Sequence, residues 1–90
     1  MPYEIKQIEN TPNPRARKLI VEPAPGSIRS YFKRDDSQGD ALGEALFSVK
    51  GVTNVLIHSS FISVSISPDR DWKTTVNALR EALRSVPGND

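Results

Sequence analysis

Val52-Thr53-Asn54-Val55-Leu56-Ile57, a break at His58-Ser59-Ser60, and Phe61-Ile62-Ser63-Val64-Ser65-Ile66 form the stretch on which the fold turns. In its first half Thr53, Val55 and Ile57 alternate with Asn54 and Leu56; in its second half Ile62, Val64 and Ile66 alternate with serines. Successive side chains on a strand point to opposite faces, so a period of two marks strands with one face buried. Two such runs around a short polar break predict a β-hairpin with one face in a core.

On either side the period changes. The polar run 33–39 ends at Asp40, whose carboxylate can accept a bond from a free amide of a first helical turn. Leu42, Ala45, Leu46 and Val49 then fall at i, i+3, i+4 and i+7, one apolar face, and Gly51 follows as a stop. Gly43 inside this helix is expected to weaken it by up to about 1 kcal/mol relative to alanine. After the hairpin, Ser67-Pro68-Asp69 has the marks of a helix start: a capping serine, proline at the first helical position and acids in the first turn. Trp72, Val76, Leu79, Leu83 and Val86 supply the stripe of this second helix, and Pro87-Gly88 its end.

Nearer the beginning, residues 3–8 alternate in part and predict a strand whose register is disturbed near Ile8. It stops at Thr11-Pro12-Asn13-Pro14, where two prolines fix φ and push the residues before them into extended geometry, giving a rigid, non-helical loop. Residues 18–21 read as a second strand, ended by Pro23-Ala24-Pro25-Gly26, and residues 27–32 as a third. Strands in succession with two helices interposed predict an α+β fold, a two-layer sandwich in which two helices pack on one face of a mainly antiparallel sheet.

Ninety residues accommodate one core, so residues 1–90 are expected to form a single domain. With 37% hydrophobic and 26% charged residues the composition is that of a globular protein. The longest mostly apolar stretch, residues 52–66, is interrupted by Asn54, His58 and serines and falls short of the roughly 20 apolar residues of a membrane helix. Met1-Pro2-Tyr3-Glu4 lacks the opening of a signal peptide, which leaves a cytoplasmic location as the expectation. A formal charge of +1 argues against a dedicated nucleic-acid surface. The absence of cysteine rules out disulfides, thiolate nucleophiles and cysteine-held zinc or iron–sulfur clusters within the chain.

Thr11, Pro12, Asn13 and Pro14 make the leading candidate site, because a proline-stiffened loop has little entropy left to lose on binding. The same rigidity also suits a turn that merely aims the second strand. Arg15, Arg17 and Lys18 follow at once and can form, with the loop, a small cationic patch for an acidic protein surface or phosphate, or simply a solvated edge. His58 beside Ser59 and Ser60 lacks a third group to orient a base, and no acid stands at a ligand spacing around it, so a polar turn is the reading adopted. Asp35-Asp36 and Asp69/Asp71 read as a solvated loop and a helix start, and Trp72 and Phe61 as core.

Several of these elements resemble the N-terminal domain of the Nfu/NifU-type iron–sulfur cluster scaffold family. Thr11-Pro12-Asn13-Pro14 with Lys18 looks like the family's TPNP-x(3)-K, and Leu46-Phe47 with Gly51-Val52 like its LF-x(3)-GV. Phe61-Ile62-Ser63-Val64 is similar to F-I-[TS]-V, Val55 lies at an apolar strand position, and Trp72 matches the tryptophan that opens the last helix. The resemblance spans residues 3–86. Asp40-Ala41-Leu42-Gly43 stands where the family commonly has Ser-Pro-Leu-Ala, Ser59-Ser60 replaces a Gly/Asp-type turn, and the CxxC domain that holds the cluster in full-length scaffolds is absent from the sequence.

The resemblance and the missing thiols together imply a stand-alone, non-catalytic adaptor of iron–sulfur cluster assembly. It would bind no cofactor or metal itself and dock on a protein partner, a cluster scaffold or a recipient. The alternative is a general protein- or peptide-binding module with no connection to such clusters. No nucleic acid, membrane or enzymatic role is expected.

Overall fold

The computed structural model describes residues 3–22 and 24–86. Five strands, β1 (Glu4–Asn10), β2 (Ala16–Glu22), β3 (Arg29–Tyr31), β4 (Val52–Ile57) and β5 (Ile62–Ile66), form one sheet in the order β1-β2-β5-β4-β3, with every adjacent pair antiparallel. Helices α1 (Ala41–Phe47) and α2 (Trp72–Arg84) complete the α+β fold expected from the sequence, and a short 3-10 turn, Arg34–Ser37, precedes α1. No helix among the described residues is long and apolar enough to cross a membrane.

The hairpin of residues 52–66 forms, and its alternation holds from Asn54 onward; Thr53, expected on the face of Val55 and Ile57, is exposed, because Val52 pairs with Ile66 and Asn54 with Ser65, which leaves Thr53 as an extra residue. Val55, Ile57, Ile62, Val64 and Ile66 are buried, while Thr53, Leu56, Ser63 and Ser65 lie on or nearer the outer surface. Leu19 and Val21 of β2 and Ile5 of β1 extend the buried face across the sheet. On it sit Leu42, Leu46 and Phe47 of α1 and Leu79 and Leu83 of α2. At β1 the disturbance in register is a bulge: Ile5 pairs with Val21 and Gln7 with Ile20, which leaves Lys6 as the extra residue. Ile5 and Ile8 are three apart, so a strict period of two would place them on opposite faces; one extra residue brings both to the core side.

Several boundaries depart from the sequence reading. β1 runs on to Asn10, and α1 ends at Phe47 with Ser48 as its C-cap, which leaves Val49 and Gly51 in the turn beyond it. β2 runs from Ala16 to Glu22, longer at both ends than residues 18–21, because it is paired on both edges and each ladder fixes further residues. β3 is shorter than residues 27–32, since it pairs only with β4. The second helix is not capped by Ser67. Ser67 and Asp69 bond to each other side chain to side chain, and Arg70 N–H donates to Ser67 O at 3.1 Å, which makes residues 67–70 a turn. Proline suits the second position of such a turn as well as it suits a helix start, because both need φ near −65°. The cap is Asp71, whose Oδ1 accepts Thr74 N–H at 2.8 Å. From that start, Thr75 is buried with Leu79 and Leu83, and Val76 is only half-buried. The helix end expected at Pro87-Gly88, and Pro23 in the expected break after β2, lie outside the described residues.

Asp40 caps α1 as anticipated, its Oδ1 accepting Leu42 N–H and Gly43 N–H. Its other oxygen takes the Tyr31 hydroxyl and Arg29 Nη1, the latter at 2.9 Å. One carboxylate thus fixes β3 to the start of α1, a link between residues about ten apart that no sequence periodicity reveals. After α1, Gly51 turns the chain into β4 with φ of +96°, a conformation that side chains with a Cβ rarely adopt.

Candidate functional site

The β1–β2 connection, residues 11–15, closes the hairpin with its own polar groups. Thr11 Oγ1 lies 2.8 Å from Asn13 O and 3.0 Å from Ala16 O and accepts Asn13 N–H at 3.2 Å. Asn13 Oδ1 accepts Arg15 N–H at 3.0 Å, and Ala16 N–H donates to Asn13 O at 3.0 Å. Pro12 and Pro14 have no N–H to satisfy. The loop therefore presents few free donors: the Asn13 amide NH2 and the Arg15 guanidinium make no bond to a described residue. Both residues are exposed.

A tether from α2 holds this loop in place. Trp72 Nε1–H donates to Pro14 O at 3.1 Å, and the Arg17 guanidinium lies 5.4 Å from the Trp72 ring centroid while also bonding Asn10 Oδ1. Trp72 packs against the core, as its place in the stripe predicts, but is only half-buried, and its indole nitrogen reaches the loop. A tryptophan has an apolar body and one donor that seeks a partner, so the residue type was the available signal, but no spacing could name Pro14.

Arg17 and Lys18, neighbours in sequence, part company in space. Arg17 pairs with Val64, on the helix side of the sheet, and Lys18 with Ser63, on the outer side. The Lys18 ammonium sits 4.3 Å from the Phe61 ring centroid and 3.7 Å from Glu9. Phe61, expected in the core, is half-buried on the outer face, with the His58 ring stacked against it at 4.5 Å and an interplanar angle of 9°. The structure thus brings Pro14 and Arg17 against Trp72, ties Thr11, Asn13 and Arg15 together within the loop, and sets Lys18 apart with Phe61.

The pKa shifts resolved are in Tyr3 and Tyr31, raised mainly by burial, with the Asp40 hydrogen bond adding at Tyr31. Asp69 and Asp71 are lowered mainly by the hydrogen bonds they accept, from Ser67 and from Thr74. Ser59 Oγ lies 3.3 Å from His58 Nδ1, and among the described residues no acid bonds that ring.

One family's model matches residues 5–87, a span that takes in all five strands except Glu4, both helices, the TPNP loop and Trp72. The chain belongs to the family described as "Scaffold protein Nfu/NifU N terminal". Among individual proteins it is 28% identical over 82 residues to "Conserved virulence factor C" of Staphylococcus aureus (strain bovine RF122 / ET3-1). It is 30% identical over 82 residues to "Uncharacterized protein YpgR" of Bacillus subtilis (strain 168). Each match takes 89% of this chain but 22% of the relative, so the chain corresponds to about a fifth of those proteins. The crystal structure of protein SAV1430 from Staphylococcus aureus superposes with a TM-score of 0.73 at 27% identity, over 88% of this chain and 96% of that one. The solution structure of SeR13 from Staphylococcus epidermidis gives 0.58 at 25%, over 87% and 92%.

The family's name raises an iron–sulfur cluster, and the donor set here does not fit one. Such clusters are held by thiolates, with imidazole in some. The chain has no cysteine and one histidine, and that ring is stacked on Phe61. The described residues contain no group of three or more His, Asp or Glu placed to hold a metal ion.

Proposed function

We propose that the chain is a non-catalytic accessory domain of iron–sulfur cluster assembly, which recognises a cluster scaffold or recipient protein in the cytoplasm and ligates no cluster itself. Membership of the Nfu/NifU N-terminal family supports the link to cluster assembly. The observation that carries the docking role is the tethered loop. Its internal hydrogen bonds and the Trp72 bond to Pro14 O hold the backbone before any partner arrives, so little ordering entropy is lost on binding. What it leaves unsatisfied among the described residues is a set of donors, the Asn13 NH2 group and the Arg15 guanidinium, which suits carboxylates on a protein surface.

Affinity purification of the tagged chain from its own cells, with partners identified by mass spectrometry, tests the reading. Cluster-assembly or cluster-containing proteins are expected among the enriched partners. A partner set without any of them would leave the general protein-binding module and discard the iron–sulfur link.

A further inference from the structure

Three large hydrophobic side chains stand exposed among the described residues, and all three belong to one place. Ile28 is 65% exposed, Phe32 79% and Leu56 38%. Ile28 and Phe32 flank β3, and Ser30 between them pairs with Leu56 of β4. By the alternation of a strand, Ser30 shares the face of Leu56, the outer one, and Ile28 and Phe32 are the exposed residues next to the two ends of β3. Arg29 and Tyr31 point the other way, where Asp40 holds both. The small Ser30 thus stands beside Leu56 with an exposed apolar residue two positions away on either side.

The two edges of the sheet differ. β1 has a Glu4–Lys6 ion pair at 3.3 Å and a bulge at Lys6, both features that discourage pairing with another strand. β3 has no bulge against β4, its outer-face residue is Ser30, and exposed Ile28 and Phe32 flank it. On the inner side, a Cβ on Gly43 of α1 would meet Tyr31 and Ser37.

We propose that the β3 edge takes an extended segment of a protein partner as a sixth strand, with one large apolar side chain of that segment seated over Ser30 against Leu56, between Ile28 and Phe32. This rests on the protein-binding reading above and adds a contact separated from the TPNP loop by β5 and β4. A second copy of the chain is a poor occupant. A stable dimer buries roughly 1,200–2,000 Å² with about 20–30 residues a side, and a three-residue edge with three apolar side chains falls far below that. An added strand instead draws affinity from main-chain hydrogen bonds and specificity from alternate side chains, which is what this edge offers. Lys33, exposed and without an ion pair to a described residue, follows Phe32 and favours an acidic residue at that end of the segment.

The test is selection of random displayed peptides on the immobilised full chain, followed by titration of a recovered synthetic peptide into ¹⁵N-labelled protein. Expected are peptides with apolar residues at alternate positions, and amide shifts at residues 28–32 and 54–57. Phe32→Ser and, separately, Ser30→Leu, which puts a large side chain at that position, each weaken binding by about tenfold or more, whereas Lys73→Ala, at an exposed position of α2, leaves it unchanged. Residues 30 and 32 are exposed, so the melting temperature stays near that of the parent. Recovery of no peptide, shifts confined to residues 11–18, or binding indifferent to both substitutions overturns the proposal. So does a sedimentation profile in which the parent is a dimer and the Phe32→Ser protein a monomer. Loss of binding in Arg15→Ala alone moves the contact to the loop and leaves the protein-binding reading standing.

Discussion

A methyl group on Gly43 would lie 2.9 Å from Ser37 Cβ and 2.9 Å from Tyr31 Cε2. Neither neighbour is the free end of a flexible chain: Ser37 is fully buried, and the Tyr31 hydroxyl is bound to Asp40. The sequence presents Gly43 as a weak point, because alanine is the better helix former by about 1 kcal/mol. Overpacking a filled site costs about 1–3 kcal/mol, so Gly43→Ala should lower stability by about 1 kcal/mol in urea denaturation. A rise in the midpoint would show that the neighbours yield. The same cluster sets an alkaline limit. Burial, with the Asp40 hydrogen bond, raises the Tyr31 pKa above 10.0. A phenol whose pKa is higher folded than unfolded contributes stability that is complete below the unfolded value and lost as pH rises through the folded one. Stability should therefore hold level between about pH 7 and 9 and fall above about 10, with a shallower fall in Tyr31→Phe. An equal fall in both proteins would assign the limit to other groups.

At the level of elements, what could be read from the sequence was whatever depends on period and composition. The hairpin of β4 and β5 and the cap at Asp40 follow from local rules, and the structure has both, whereas α1 ends at Phe47, short of the stop expected at Gly51. The start of α2 was misread because Ser67-Pro68-Asp69 satisfies two local patterns equally, turn and helix start, and only the climb from β5 to the packed helix selects between them. Contacts between distant elements left no trace in the pattern. Trp72 and Pro14 are 58 positions apart, and their bond is visible only once α2 is laid against the β1–β2 loop. Trp72→Phe keeps the ring but removes that donor and leaves Pro14 O without it. It should cost about 1 kcal/mol and speed amide exchange at Asn13, Arg15 and Ala16, measured by NMR. Unchanged exchange would mean that the loop's own bonds suffice to hold it.

Across the whole molecule, one layer of helices covers one face of the sheet, and the candidate contacts lie on what remains: the loop at one end of β1 and β2, and the open edge at β3. The loop was legible as a rigid feature from its prolines, yet its electrostatics were not. Arg15, Arg17 and Lys18 look like one cationic patch in sequence, but alternation along β2 sends Arg17 to Trp72 and Lys18 to Phe61, which leaves Arg15 with Asn13 as the free donors. The central claim is that this pair, on a loop held by Trp72, recognises a protein partner. Calorimetric titration of the most enriched partner from affinity purification tests it most directly, comparing the parent with Arg15→Ala and with Asn13→Asp, which keeps the acceptor for Arg15 N–H but reverses the polarity of the exposed group. Each substitution should weaken binding by about tenfold with little change in melting temperature, whereas parent-like affinity in both would contradict the claim.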